Sequence, residues 1–150
     1  MSSYFYELYF AESVQPATLR ERVQALPGVK PDPEAPDQYW VGRVHLMLDC
    51  EDAEEMIEFI QPRTGIRTGS FSLDVGVHSF SQADTNLMLD VVLDILAEGE
   101  DAVAVYQSER IMLMQKDGKL SVDASQMSQD SLAQLRRRRE CQEKDLGPVF

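Results

Sequence analysis

The chain has 150 residues, 43% of them hydrophobic, with 26 acidic against 14 basic side chains and a formal charge of -12. This length and composition suit a single domain spanning residues 1–150, with a core of its own. The acidic excess opposes nucleic acid and anionic membrane as partners, and no apolar run approaches the ~20 residues needed to span a bilayer.

Residues 4–10 set Tyr4, Tyr6, Leu8 and Phe10 on one face and Phe5, Glu7 and Tyr9 on the other, which predicts an interior strand. Pro16 is placed as a first helical residue, and Leu19, Val23 and Leu26 recur at helical spacing until Pro27-Gly28, so a short amphipathic helix is expected over 16–26. Residues 27–38 hold four of the seven prolines and are expected to form a surface loop without ladder or helix. A strand follows over 41–49, with Val44, Leu46 and Leu48 on one face and Arg43, His45 and Met47 on the other. Met56, Ile57, Phe59 and Ile60 suggest one short helical face before the turn signals Pro62, Gly65 and Gly69. Phe71, Leu73, Val75 and Val77 then alternate with polar or small residues, the pattern of a half-buried strand.

Ser81 or Asp84 caps a helix expected over 84–98, ending at Gly99, whose apolar residues cover all but a stripe of Asp90, Asp94 and Glu98. Residues 102–107, 110–116 and 120–123 read as a three-strand meander, with Asp117-Gly118 as a hairpin turn. A last helix starts near Ser125 or Ser128, carries Asp130 early and four arginines at 136–139, and leads to a polar tail at 144–150 expected to fray. The fold class expected is α+β: a mainly antiparallel sheet of five or six strands, the helices at 16–26 and 84–98 packed on one face, and a C-terminal helix. The opposite sheet face and the acidic run would stay available to a partner.

No nucleophile elbow, phosphate-cradling glycine loop or His-Glu-x-x-His motif is present, so catalytic residues and cofactors are expected to be none. His45 and Cys50 lack a second pair of soft ligands and the acidic run lacks the pattern of a calcium loop, so no metal is expected. Cys50 and Cys141 read as free thiols, which together with the absence of a secretory pattern points to the cytoplasm. The enzymatic alternative is a cluster of His45, His78 and Asp74, with Arg43, on the polar face of two neighbouring strands. A solvated face with ordinary charge pairing is the simpler outcome.

Residues 136–150 carry five bases and three acids, a net of +2, while residues 1–135 carry nine and 23, a net of -14, so the arginines suit a helix end better than nucleic acid. Like charges at i, i+4 disfavour a helix, so Asp90, Asp94 and Glu98 either meet the arginine run or await a basic partner. Six acids in ten positions from Asp49 onward, with no base among them, favour the partner. The partner-binding residues expected are Asp49, Glu51, Asp52, Glu54, Glu55, Glu58, Asp90, Asp94 and Glu98, forming a surface complementary to a basic protein.

The segment Glu58-Phe59-Ile60-Gln61-Pro62-Arg63-Thr64-Gly65-Ile66-Arg67-Thr68, the strand Ser70-Phe71-Ser72-Leu73-Asp74, an apolar helix, and Asp101-Ala102-Val103-Ala104-Val105-Tyr106 running into Glu109-Arg110-Ile111-Met112-Leu113 resemble the Sit-type immunity proteins. These protect bacteria against their own swarm-inhibition toxins, and the similarity covers about residues 55–123. It implies a cytoplasmic non-enzyme that binds and neutralises a cognate toxin, and a basic toxin would fit the charge. A regulatory adaptor recognising a basic protein or peptide is the alternative of the binding class.

Overall fold

The computed structural model describes residues 4–49, 54–97 and 99–149. Among them nine strands form one sheet: β1 (Tyr4–Phe10), β2 (Val29–Pro31), β3 (Gln38–Val41), β4 (Val44–Asp49), β5 (Ser72–Val77), β6 (Ala102–Tyr106), β7 (Arg110–Lys116), β8 (Lys119–Val122) and β9 (Cys141–Glu143). Their spatial order is β2-β3-β4-β5-β1-β6-β7-β8-β9, antiparallel throughout except for the parallel pair β8 and β9. Four α-helices accompany them: α1 (Pro16–Gln24), α2 (Glu54–Thr64), α3 (Gln82–Ile95) and α4 (Gln129–Arg138). The class is α+β, as expected.

The apolar character of both faces of residues 4–10 is explained by position: β1 lies between β5 and β6, with Leu8 and Phe10 buried on one face and Tyr9 on the other. The sheet has more strands than the five or six expected, for three local reasons. Gly42, at a φ of 57°, opens a two-residue turn with Val41 paired to Val44, so the segment read as one strand and its preceding loop become the hairpin β3–β4. Part of the proline-rich loop does enter the ladder, because β2 is an edge strand with a neighbour on one side only, and Pro31 lacks an N–H that an edge does not require. Finally, the chain after α4 returns alongside β8 as β9.

The short helical face of Met56 to Ile60 belongs to an 11-residue helix that continues through Pro62 into its last turn. There the Arg63 guanidinium donates to the Phe59 carbonyl at 3.0 Å and the Thr64 hydroxyl to the Ile60 carbonyl at 2.8 Å, so carbonyls near the helix end are satisfied by side chains. α3 begins as read, with the Ser81 hydroxyl accepting from the Asp84 N–H, and ends at Ile95, short of residue 98.

α1, α3 and α4 bury Leu19, Val23, Met88, Val92, Leu132 and Leu135 against one sheet face. The expectation of an open opposite face needs correction. Tyr9, Val103, Val105, Ile111 and Met114 make the β1–β6–β7 half of that face apolar, and α2 covers it with Met56, Phe59 and Ile60. The tail joins this second core instead of fraying: Val149 is fully buried beside Leu146. Its backbone is pinned as well, since the Val149 N–H donates to the Glu109 carbonyl at 2.9 Å and the Arg63 Nε to the Pro148 carbonyl at 2.8 Å.

Candidate functional site

What α2 and the tail leave is the other half of the same face, carried by β4, β5 and β1. Strand alternation and register bring three carboxylates together here. Glu7 lies directly across from Asp74, Asp74 from Met47, and Asp49 from Ser72, all on one side of the sheet. Each carboxylate is half-buried. Glu7 accepts from the Tyr9 hydroxyl at 3.0 Å and from the Ser108 hydroxyl, while the Ser72 hydroxyl donates to Asp74 at 3.5 Å.

Burial, reinforced by the charges of Glu7 and Asp49, pushes the Asp74 carboxyl up to about 7. Burial and the Glu7 carboxylate also hold the Tyr9 phenol well above its ordinary range. Of these three candidate residues, Asp49 belongs to the acidic run that the sequence singles out, and Glu7 does not. Its signal was an isolated charge within an otherwise apolar interior strand, and only register shows that it faces Asp74.

The remaining expected acids are distributed differently. Glu54, Glu55 and Glu58 are exposed on α2, the first two in its first turn where the helix dipole favours them. Glu51, Asp52 and Glu98, with Cys50, lie outside the described residues. Asp90 and Asp94 are not an open stripe: Arg138 of α4 spans them, at 3.1 Å from Asp90 and 2.5 Å from Asp94. The arginine run thus meets α3, helped by a 2.9 Å bond from Arg138 to the Asp90 carbonyl. Arg138→Ala is expected to destabilise the fold by about 0.5–1 kcal/mol in low salt, since all three side chains are partly exposed. Urea unfolding checks this, and Asp90→Asn with Asp94→Asn in the same chain should recover most of the loss.

The His45, His78 and Asp74 cluster does not assemble. β3, absent from the expected sheet, supplies Gln38 and Trp40: the His45 Nε2 is 2.9 Å from Gln38 Oε1, and the Trp40 ring centre lies 4.6 Å from His45 and 6.5 Å from His78. Among the described residues no hydrogen bond joins Asp74 to either imidazole, and Arg43 pairs with Asp84 at 3.6 Å. Burial lowers the His45 pKa, which favours the neutral ring in this aromatic setting. Nothing couples a base to a nucleophile here. Nor are the three carboxylates a metal-ligand group: the described residues hold no cluster of three or more His, Cys, Asp or Glu that could hold a metal ion.

Among the described residues no helix is long and apolar enough to cross a membrane. Neither the curated proteins nor the solved structures give a match to the chain. The SitI3-like family does match, over residues 4–129, from the first residue of β1 to the first residue of α4. That span contains the whole β4–β5–β1 face and α2, and encloses the 55–123 region that resembles Sit-type immunity proteins. On a match of this extent, the chain belongs to the SitI3-like family.

Proposed function

We infer that the protein is a cytoplasmic immunity protein that binds a cognate toxin stoichiometrically and blocks it, without catalysis, through an acidic surface. Family membership over residues 4–129 is the observation that carries this reading. The charge supports it independently: a protein of formal charge -12 steers a basic partner toward itself. Among the described residues of the acidic run, Glu54, Glu55 and Glu58 lie on the exposed side of α2, and Asp49 ends β4 half-buried. Asp90 and Asp94 are already engaged by Arg138 and contribute less.

Co-expression tests the role. Cells producing the toxin domain encoded beside this gene should survive when the chain is present and die without it; death in both cases removes the immunity reading. Stopped-flow mixing tests the electrostatic part. Reversing charge with Glu54→Lys, Glu55→Lys and Glu58→Lys together should slow association about tenfold or more at low ionic strength and much less at high salt. An unchanged rate would leave the toxin bound by other means.

A further inference from the structure

The strand order leaves β2 and β9 as the edges of the sheet, and the two edges differ in what they offer another strand. The β2 edge is closed. There the Asp32 N–H donates to the Gln38 carbonyl at 2.9 Å, so by alternation Lys30 turns its main-chain groups toward β3 while Val29 and Pro31 turn theirs outward. Pro31 has no N–H, and the Val29 N–H is already given to the Leu26 carbonyl at 3.2 Å. β2 therefore presents no free donor to an incoming strand.

The β9 edge is open. It runs parallel to β8 with Gln142 beside Ser121, and the Lys144 N–H donates to the Val122 carbonyl at 2.9 Å. In a parallel ladder that bond directs the main-chain groups of Gln142 and Lys144 toward β8, and those of Cys141 and Glu143 away from it. Among the described residues no hydrogen bond takes the outward N–H or C=O of Cys141 or Glu143. Gln142, Glu143 and Lys144 are exposed. The tail turns back past β8 to β7, where the Gly147 carbonyl accepts from the Ile111 N–H at 3.1 Å, instead of running along the edge.

We propose that β9 is a self-association edge, on which β9 of a second copy pairs antiparallel about a two-fold axis at Gln142. That register sets Cys141 of each chain opposite Glu143 of the other, and residues opposed in this way exchange both N–H···O bonds. On the other side of the ribbon Glu140 of each chain stands opposite Lys144 of the other. Charge complementarity selects this occupant: Glu140 and Lys144 are exposed, neither has an ion pair among the described residues, and opposite charges directly across two strands stabilise their pairing. Moving the register by two residues would instead oppose the two Glu143 carboxylates. Glu143 itself is balanced by Arg136 at 3.2 Å. The overall charge of -12 disfavours contact between copies in general, but residues 136–150 carry a net of +2, so this contact joins net-basic segments instead of acidic bodies. The inference rests on the fold alone and holds whether or not the protein neutralises a toxin.

Sedimentation equilibrium of the full chain tests the proposal. So short a ladder predicts a weak dimer, with a dissociation constant on the order of 10–100 μM. Glu143→Pro removes an outward N–H without touching the bonds to β8, so it should weaken association about tenfold or more, whereas Glu143→Ala, which keeps the N–H, should stay within about threefold. Lys144→Glu should weaken association about tenfold, and adding Glu140→Lys to the same chain should restore it, because the exchanged charges oppose each other again. In a chain carrying Cys50→Ser and Cys141→Ser, Gln142→Cys should give a disulfide-linked dimer with oxidised glutathione, since residues opposed on the axis lie roughly 4.5 Å apart at Cα. Glu54→Cys in the same background should not. A chain that stays monomeric up to about 1 mM, unchanged association in Glu143→Pro, or a charge exchange that fails to rescue Lys144→Glu would overturn the proposal.

Discussion

Asp74→Asn is expected to stabilise the protein by about 2–3 kcal/mol at pH 8 and to change its stability little at pH 4. The sign follows from the direction of the shift. In an unfolded chain an aspartate ionises near pH 3.9, whereas in the fold burial, with Glu7 and Asp49 alongside, raises the Asp74 carboxyl to about 7. Below about pH 4 both states are protonated and ionisation of the residue costs nothing. Between pH 4 and pH 7 the unfolded chain releases a proton that the folded chain keeps, so stability falls as pH rises and levels off above 7.

The full shift would correspond to about 4 kcal/mol, and the half-exposed position of the side chain reduces it. Asparagine keeps the shape and removes the charge. Urea unfolding of both proteins from pH 4 to pH 8 should therefore give curves that coincide at the acid end and diverge upward through neutrality. At pH 8 the thermal midpoint should be roughly 4–10 °C higher for the variant. An equal difference at both ends of the range would assign the effect to packing instead of charge.

Removing residues 146–150 should be more damaging, at about 3–5 kcal/mol. Val149 is fully buried and Leu146 packs beside it against the core of Ile111, Val103 and Met114, so the deletion exposes apolar surface on both sides of the contact. It also removes the 2.9 Å bond from Val149 to the Glu109 carbonyl, the 3.1 Å bond from Ile111 to the Gly147 carbonyl, and the Arg63 bond to Pro148. A domain of this size has about 5–15 kcal/mol in total, so a large share of the stability is at stake. Urea unfolding of the truncated chain gives the value directly. Val149→Ala should reproduce about 1–2 kcal/mol of it without touching the backbone bonds. A truncated chain as stable as the intact one would mean that the tail contributes no net stability where it lies.

The elements most legible in the sequence were those with a strong local period. Alternation on both faces of residues 4–10 gave an interior strand, Asp117-Gly118 gave the β7–β8 turn with both residues at positive φ, and Ser81 capped α3. The strands that went unread, β2, β3 and β9, are three or four residues long and contain proline, or lie beside it, or sit in a polar segment. Strands that short have no period to detect and exist because a neighbour offers them a ladder. Pro62 marked a turn too early, because in a last helical turn its missing N–H and its ring do little harm.

The candidate site was legible as charge and illegible as geometry. The run beginning at Asp49 points to that end of β4 and to α2, but composition could not say that Arg138 would close over Asp90 and Asp94. Nor could it show that His45 engages Trp40 and Gln38, on a strand the sequence did not announce.

By itself, then, the sequence determined the α+β class, the central strand, the amphipathic helices and the acidic excess, because these depend on the order of side chains within one element. Tertiary structure decided which charges are neighbours. Glu7 and Asp74 are 67 positions apart in the chain and become directly opposed only through the β1–β5 register, and Arg138 reaches Asp90 and Asp94 only because α4 packs on α3. Coulomb energies vary with distance and burial, both of which folding sets, so acids of one chain are bridged by an arginine in one place and crowd a half-buried aspartate upward in pKa in another.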